Sequence, residues 1–493
     1  MDTINFLIVA GLLHCSLFFF NVIFKSCLHY PYFLFLENTG LEIKTLSLKW
    51  YTTAFNRKIL KWATDRSRFW TLWFDIGVVV SIILLPIATI IVLKMTFDNL
   101  FFQSESEGSN RQWNLEPMIP GINIPFSDIQ YYIITLGLCS IFHEFGHAMA
   151  SSLENVQLFG VGLMLAFIVP LSYVSIDSDQ LKQLRLKNKL RILCAGVWHN
   201  LVLAVVAAII FYVSGWIWAP LFLSNSGVYI QSIEPNSPLL GPKGLLNNDI
   251  IYKINDCPVK NNNDWYHCIL QSVKQPTPGY CVVKSIIEEY DESIPATVEN
   301  GVINCCRLNE NLNGKLCFEH VEDSAIGPLQ LQLHSCLSAR ILIERSIRYC
   351  QYSFQCAELN AHCMIPQLNN STKIVQLSRK EGSDVLFLGH PHEIYQSVKI
   401  SNWIPRHQFF NPNIPESLEI LCKYMTVLSA GLAVINIIPC FFFDGQYIVI
   451  ELSQNLLRPF ISNKSMRDTI PLTLVSVGTI LLTINILLTF IRM

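Results

Sequence analysis

The sequence predicts an α-helical polytopic membrane protein of about six spans, with a re-entrant or β-hairpin-like segment and one cysteine-rich α/β insertion. Three observations carry that expectation. Hydrophobic residues fill 51% of the 493 positions and charged residues only 15%, against roughly a quarter charged in soluble chains, and mean hydropathy is +0.37. The run Ile141-Phe142-His143-Glu144-Phe145-Gly146-His147-Ala148-Met149-Ala150 sets a His-Glu-x-x-His motif inside apolar sequence. Ten of the 16 cysteines (Cys257, Cys268, Cys281, Cys305, Cys306, Cys317, Cys336, Cys350, Cys356 and Cys363) fall in the one long polar stretch. The net charge of -2 says little about partners, and no stretch points to nucleic acid.

Residues 3–24 are long enough to span, and no small-residue cleavage site follows them, so an uncleaved anchor is expected. From Lys44 to Arg68, Lys44, Lys49, Arg57, Lys58, Lys61, Arg66 and Arg68 alternate with aromatics such as Trp50, Tyr51, Phe55, Trp62 and Phe69. An amphipathic segment on a lipid surface and a solvated connector both fit. A second span is expected near 75–95, where Pro86 argues a kink or a helical hairpin. After a polar, acidic stretch at 97–128, a third span starts near Tyr131 and carries His143, Glu144 and His147 in its last turns.

On a helix those histidines lie one turn apart on one face, able to offer two imidazole nitrogens to one metal with Glu144 beside them. That donor set suits zinc hydrolysis, because the ion brings the pKa of water to roughly 7 and a carboxylate can take the proton. Ionisable groups at membrane depth are costly in lipid, and a metal would supply the compensation.

Residues 156–174 are apolar but broken by Gly160, Gly162 and Pro170, which favours a re-entrant or strand-like excursion over a spanning helix. A basic loop (Lys182, Arg185, Lys187, Lys189, Arg191) precedes the next span, Ile192 to about Leu223. Within it, His199 and Asn200 fit either an interhelical hydrogen bond or an active-site shell. Residues 224–415 are polar. The chain re-enters the membrane near Leu418, reaches Asn436-Ile437-Ile438-Pro439-Cys440-Phe441-Phe442-Phe443-Asp444-Gly445, and ends with a span at about 470–491. A carboxylate placed like Asp444 demands a partner, and as third ligand it would complete two histidines, one carboxylate and an open position. The expected domains are therefore 1–74 (anchor and basic segment), 75–223 (membrane core with the His-Glu motif), 224–415 (polar insertion) and 416–493 (membrane core with Asp444).

The polar domain opens with an alternating strand from Gly227 and a turn into a second strand at 244–256. This resembles the first half of a PDZ module, with Asn248-Asp249 where that family usually has Gly-Asp; a peptide groove and a steric cover over the site are both open readings. An even number of clustered cysteines argues disulfides in an oxidising lumen, though not their pairing. Glycosylation sequons at Asn369 and Asn370 agree. A lumenal insertion also leaves the basic loop 182–191 cytosolic, as the positive-inside rule prefers.

Taken together, His143-Glu144-Phe145-Gly146-His147, the later Asn436-x-x-Pro439 and Asp444-Gly445, the glycine-broken hairpin between and the PDZ-like insertion resemble the site-2 protease family of intramembrane zinc metalloproteases. The cysteine-rich insertion and Ala195-Gly196-Val197-Trp198-His199-Asn200 look like its animal members, whereas Phe443 stands where the family commonly has leucine. The resemblance implies regulated intramembrane proteolysis: cleavage, in a Golgi or endoplasmic-reticulum membrane, of membrane-tethered transcription factor precursors already cut on their lumenal side. It implies one zinc ion on His143, His147 and Asp444, Glu144 as general base, and Asn200 and Asn436 orienting the scissile carbonyl or stabilising its oxyanion. The segment around Gly160 and Gly162 would position an unwound substrate strand. Two other classes compete: a catalytically silent membrane scaffold, which intact Glu144 argues against, and a zinc transporter, which should carry metal-binding residues on several spans.

Overall fold

A computed structural model describes residues 3–101, 124–241, 243–299, 302–307, 314–321, 333–369, 371–407 and 409–492. The sequon residue Asn370 and most of the acidic stretch 97–128 lie outside them; Asn369 is exposed. The chain divides into two compact units, residues 1–214 with 418–493, and residues 215–417.

The first unit begins with α1 (Thr3–Ser26), α2 (Tyr30–Thr39), β1 (Leu41–Lys44), β2 (Ser47–Thr52), α3 (Asn56–Asp65) and α4 (Ser67–Phe101). It continues through α5 (Ile129–Leu153), β3 (Leu158–Ala166), β4 (Val169–Ile176), α6 (Ser178–Gln183) and α7 (Leu186–Trp218). The second unit contains β5 (Phe222–Leu223), β6 (Val228–Ile233), β7 (Ile250–Ile254), β8 (Cys257–Pro258), α8 (Asn262–Lys274), β9 (Gly279–Val283), α9 (Lys284–Tyr290), β10 (Thr297–Glu299) and β11 (Val302–Asn304). There follow β12 (Lys315–Val321), β13 (His334–Ser338), α10 (Ala339–Glu344), β14 (Tyr349–Cys350), α11 (Phe354–Ala357), β15 (Ala361–Pro366), β16 (Lys373–Arg379), β17 (Val385–Gly389), α12 (Pro391–Ser397), β18 (Val398–Ser401) and β19 (Ile404–Pro405). Then α13 (Asn413–Ile437), α14 (Asp444–Leu457) and α15 (Lys464–Arg492) close the chain.

Among the described residues six helices, α1, α4, α5, α7, α13 and α15, are long and apolar enough to cross a membrane. The chain is thus a polytopic membrane protein with a disulfide-bonded, sheet-containing insertion. The hairpin considered at Pro86 does not form: α4 is one helix of 35 residues with Pro86 inside it. The flanking sequence, Ser81-Ile82-Ile83-Leu84-Leu85-Pro86-Ile87-Ala88, offers no glycine, asparagine or aspartate beside the proline to complete a turn. In lipid, a bend that freed several backbone groups would cost more than the one hydrogen bond proline removes.

Residues 158–176 form the hairpin β3–β4, turning at Phe167 (φ 56°). The basic segment is not a mere connector, because β1 and β2 add to that hairpin as an antiparallel sheet in the order β1-β2-β3-β4. The alternation Leu46-Ser47-Leu48-Lys49-Trp50 is a strand period, and Ser47 pairs with Ala166. Only α3 is an amphipathic helix, and it buries Ile59 and Ala63 against protein. β3 has a strand on either side, which leaves β1 and β4 as the edges.

In the second unit, β6, β7, β16, β17 and β18, joined by the short β8, make a sheet whose core is Trp265, Ile251 and Leu377. Between α8 and β16 the chain inserts a second sheet, β13-β12-β15-β9-β14, packed around Tyr280, Phe318 and Met364. All ten cysteines named above are paired: Cys257–Cys268, Cys281–Cys356, Cys305–Cys317, Cys306–Cys336 and Cys350–Cys363. Asn248 sits at φ 76°, a left-handed conformation that glycine adopts freely and asparagine tolerates.

Candidate metal centre

Two helices bring three ligand atoms together. His143 and His147 lie one turn apart on α5, and Asp444 is the first residue of α14, where the chain restarts a helix after the Pro439 break. His143 Nε2 is 3.2 Å from His147 Nε2, and Asp444 Oδ2 is 3.1 Å from the first and 3.4 Å from the second. Zinc bonds of about 2.0–2.1 Å in a tetrahedron place neighbouring ligand atoms about 3.3 Å apart, which this triangle matches.

The remaining hydrogen bonds aim those atoms. His147 Nδ1–H donates to the Ile192 carbonyl at 2.8 Å, which leaves Nε2 with a lone pair facing His143. Asn200 Nδ2 lies 3.2 Å from His143 Nδ1, while its buried Oδ1 has no partner among the described residues, and exchanging the two ends of the amide satisfies both groups. With that oxygen turned to the ring it accepts the Nδ1–H, and His143 Nε2 also presents a lone pair. Two facing lone pairs repel unless a cation lies between them. Among the described residues, buried Asp444 Oδ2 likewise has no hydrogen-bond donor and faces only the two imidazole nitrogens. The space is real: a Cβ on Gly196 of α7 would lie 2.4 Å from His147 Nε2 and 2.6 Å from His143 Nε2. The three residues therefore fit a metal ion. In the two other clusters of potential ligands among the described residues, every cysteine (Cys257 and Cys268; Cys281, Cys350 and Cys356) is already consumed in a disulfide.

Glu144 interacts electrostatically with both histidines and Asp444, and its carboxylate lies beside the Val174 backbone on the outer edge of β4. One turn earlier, Ser140 Oγ accepts the Ser172 N–H at 2.7 Å. The helix that bears the ligands thus caps the edge strand.

The other expected site residues lie at varied distances from this centre. Asn200 is fully buried behind His143, and its carbonyl accepts the Ser429 hydroxyl at 2.8 Å. His199 points away, held by Trp73 Nε1–H at 3.3 Å in a box with Phe74 and Phe145. Asn436, in the last turn of α13, is half-buried and outside the ligand triangle. Gly160 and Gly162 are inside β3, where a Cβ would strike the Tyr51 ring at 2.6 Å and the Tyr173 ring at 2.4 Å; their absent side chains make room for tyrosines. Gly196 carries no chemistry of its own, and only its place beside Ala195 in a spanning helix signalled close approach.

A polytopic membrane protein that presents two histidines and a carboxylate as one ligand triangle, with a glutamate alongside, has the construction of a membrane metallopeptidase. The chain belongs to peptidase family M50, whose sequence profile it matches over residues 131–482, from α5 into α15. It is also similar to an Arabidopsis thaliana protein described as a membrane-bound transcription factor site-2 protease homolog, with 22% identity over 444 residues, 80% of this chain and 83% of that protein.

Proposed function

We propose that this metallopeptidase is a zinc-dependent intramembrane endopeptidase that cuts a transmembrane segment of membrane-tethered transcription factor precursors after a prior lumenal cut. The observation that carries the reading is the 3.1–3.4 Å triangle of His143, His147 and Asp444. In this reading zinc supplies the Lewis acidity that makes water nucleophilic near neutral pH. His143, His147 and Asp444 hold the ion, and Asn200 fixes the ring of His143. Glu144 takes a proton from water and delivers it to the leaving amine. Asn436, whose side-chain amide makes no hydrogen bond among the described residues, is the donor assigned to the scissile carbonyl. A helical peptide bond hides its carbonyl, so the substrate must unwind beside the sheet, whose edge strand β4 packs against the ligand-bearing helix; Gly160 and Gly162 serve that sheet by letting Tyr51 and Tyr173 pack flat on it.

Five disulfides and the exposed Asn369 sequon support a lumenal insertion in a secretory-pathway membrane, Golgi or endoplasmic reticulum. The first unit of strands in that insertion supports a PDZ-like module. The test is cleavage of a lumenally trimmed, membrane-tethered reporter by the protein and its Glu144→Gln variant, with bound zinc measured in both. The expected result is a cytosolic fragment from the wild type only, at least about 100-fold less from the variant, and equal zinc. Equal release from both, or no zinc in either, would leave a membrane scaffold as the better account.

A further inference from the structure

The basic, aromatic segment that the sequence left without a role forms one wall of a cavity beside Glu144. The cavity, about 390 Å3, lies between α3, α5 and the sheet face of β2, β3 and β4. Each helix turns a stripe at helical spacing toward it: Phe55, Ile59 and Trp62 from α3, and Ile141, Phe145 and Ala148 from α5. Ile59 and Ala63 are buried and fasten α3, whereas Trp62 remains 53% exposed and Ile141 42% exposed. Exposed aromatic surface held rigidly beside a catalytic carboxylate is what a binding wall requires. Glu144 and Val174 are also part of the lining.

We infer that this cavity is a substrate subsite that takes a bulky apolar side chain of the unwound segment next to the scissile bond, so that α3 sets cleavage preference. The inference rests on the protease reading above. Its occupant follows from continuity: Glu144 is part of the cavity lining, so an extended segment whose scissile bond reaches that carboxylate lays a neighbouring side chain against the wall formed by α3. A lipid chain would fill the apolar part but make no use of the carboxylate. The volume exceeds one aliphatic side chain, which predicts acceptance of phenylalanine as well as leucine.

The experiment walks Ala, Leu, Phe and Asp through the positions flanking the cleaved bond of the tethered reporter, using the full-length protein in membranes. At one position Leu and Phe are expected to exceed Ala at least about tenfold, since even a single methylene in an apolar site is worth roughly 10-fold or more. Ile141→Trp, which fills the cavity, should bring the Leu-to-Ala ratio near one. Trp62→Ala should raise Phe relative to Leu. Ile480→Trp, on α15 and away from the cavity, should keep the wild-type ratio. Bound zinc, measured in each variant, separates a misfolded protein from a changed subsite. A flat residue profile in a wild type that cleaves through Glu144 would overturn the subsite alone, as would ratios unchanged in both cavity variants. Absence of any Glu144-dependent cleavage would instead overturn the protease reading.

Discussion

Replacing Gly196 with alanine tests the metal centre without reference to activity. The added Cβ would stand 2.4 Å from His147 Nε2, 2.5 Å from His143 Cε1 and 2.6 Å from His143 Nε2, where ordinary contact begins near 3.4 Å. Relief therefore requires the rings to retreat by about 1 Å, five times the roughly 0.2 Å that metal–ligand bonds tolerate. Neither ring is free to do so, because His147 is tied to the Ile192 carbonyl and His143 abuts Asn200. Moving a second-layer group typically costs 10–100-fold in metal affinity, and displacing two ligands at once should reach at least about 100-fold, near 2.7 kcal/mol. Zinc content after purification in detergent, followed by competition against a chelator of known affinity, reads this directly. A Gly196→Ala protein that holds zinc within about threefold of wild type would refute the geometry on which the site rests.

Three further outcomes are expected. Asn200→Ala should weaken zinc binding about 10–100-fold while Asn200→Asp, which still offers an oxygen to His143 Nδ1–H, should retain most of it in the same chelator assay. Arg191 forks onto Asp75 at 2.7 and 3.0 Å and reaches Glu154 at 2.7 Å, so Arg191→Ala strands a buried carboxylate; thermal unfolding in detergent should show a loss of about 3–5 kcal/mol, and Arg191→Lys a smaller one. Closing a separation of 75 residues, Cys281–Cys356 should contribute about 4.5 kcal/mol and Cys257–Cys268, with a separation of 11, about 2.8 kcal/mol in the chain-entropy account; serine pairs at each, compared by denaturant titration of protease resistance, should follow that order.

The spans and the meeting of His143, His147 and Asp444 were legible in the sequence because each has a local signature: continuous hydropathy for α4, α7 and α15, an i, i+4 histidine pair on α5, and an isolated carboxylate at Asp444. The pairing of β2 with β3 was not, since Ser47 and Ala166 meet across more than a hundred residues and nothing local encodes a long-range register. Disulfide partners are hidden for the same reason. The hairpin reading of Pro86 failed because proline marks a break in water, whereas lipid penalises freed backbone groups and keeps the helix continuous. His199 and Asn200 are neighbours of similar polarity, and only the rotation of α7 decides that Asn200 faces the metal ligands and His199 the aromatic box around Trp73.

The same reasoning explains why glycines rather than ligands limit how this centre can be built. Between helices in lipid, where burial gives little drive to associate, close backbone approach supplies the packing. At Gly146 a Cβ would lie 2.6 Å from the Ala195 carbonyl, at Gly445 it would lie 2.2 Å from that of Ile438, and at Gly478 it would lie 2.2 Å from that of Pro439. Each of these contacts sets the separation of α5 from α7, or of the Asp444 turn from its neighbours, and a methyl group at any of them spreads the ligand triangle beyond what a metal accepts. Gly431 in α13 and Gly215 in α7 have nothing within 4 Å. Alanine at these two should retain zinc and add up to about 1 kcal/mol each through helix propensity, whereas alanine at Gly146, Gly445 or Gly478 should lose zinc and stability together. If the five variants behaved alike when scored by zinc content and unfolding temperature, close approach would not be what holds the ligands, and helix propensity alone would account for the glycines.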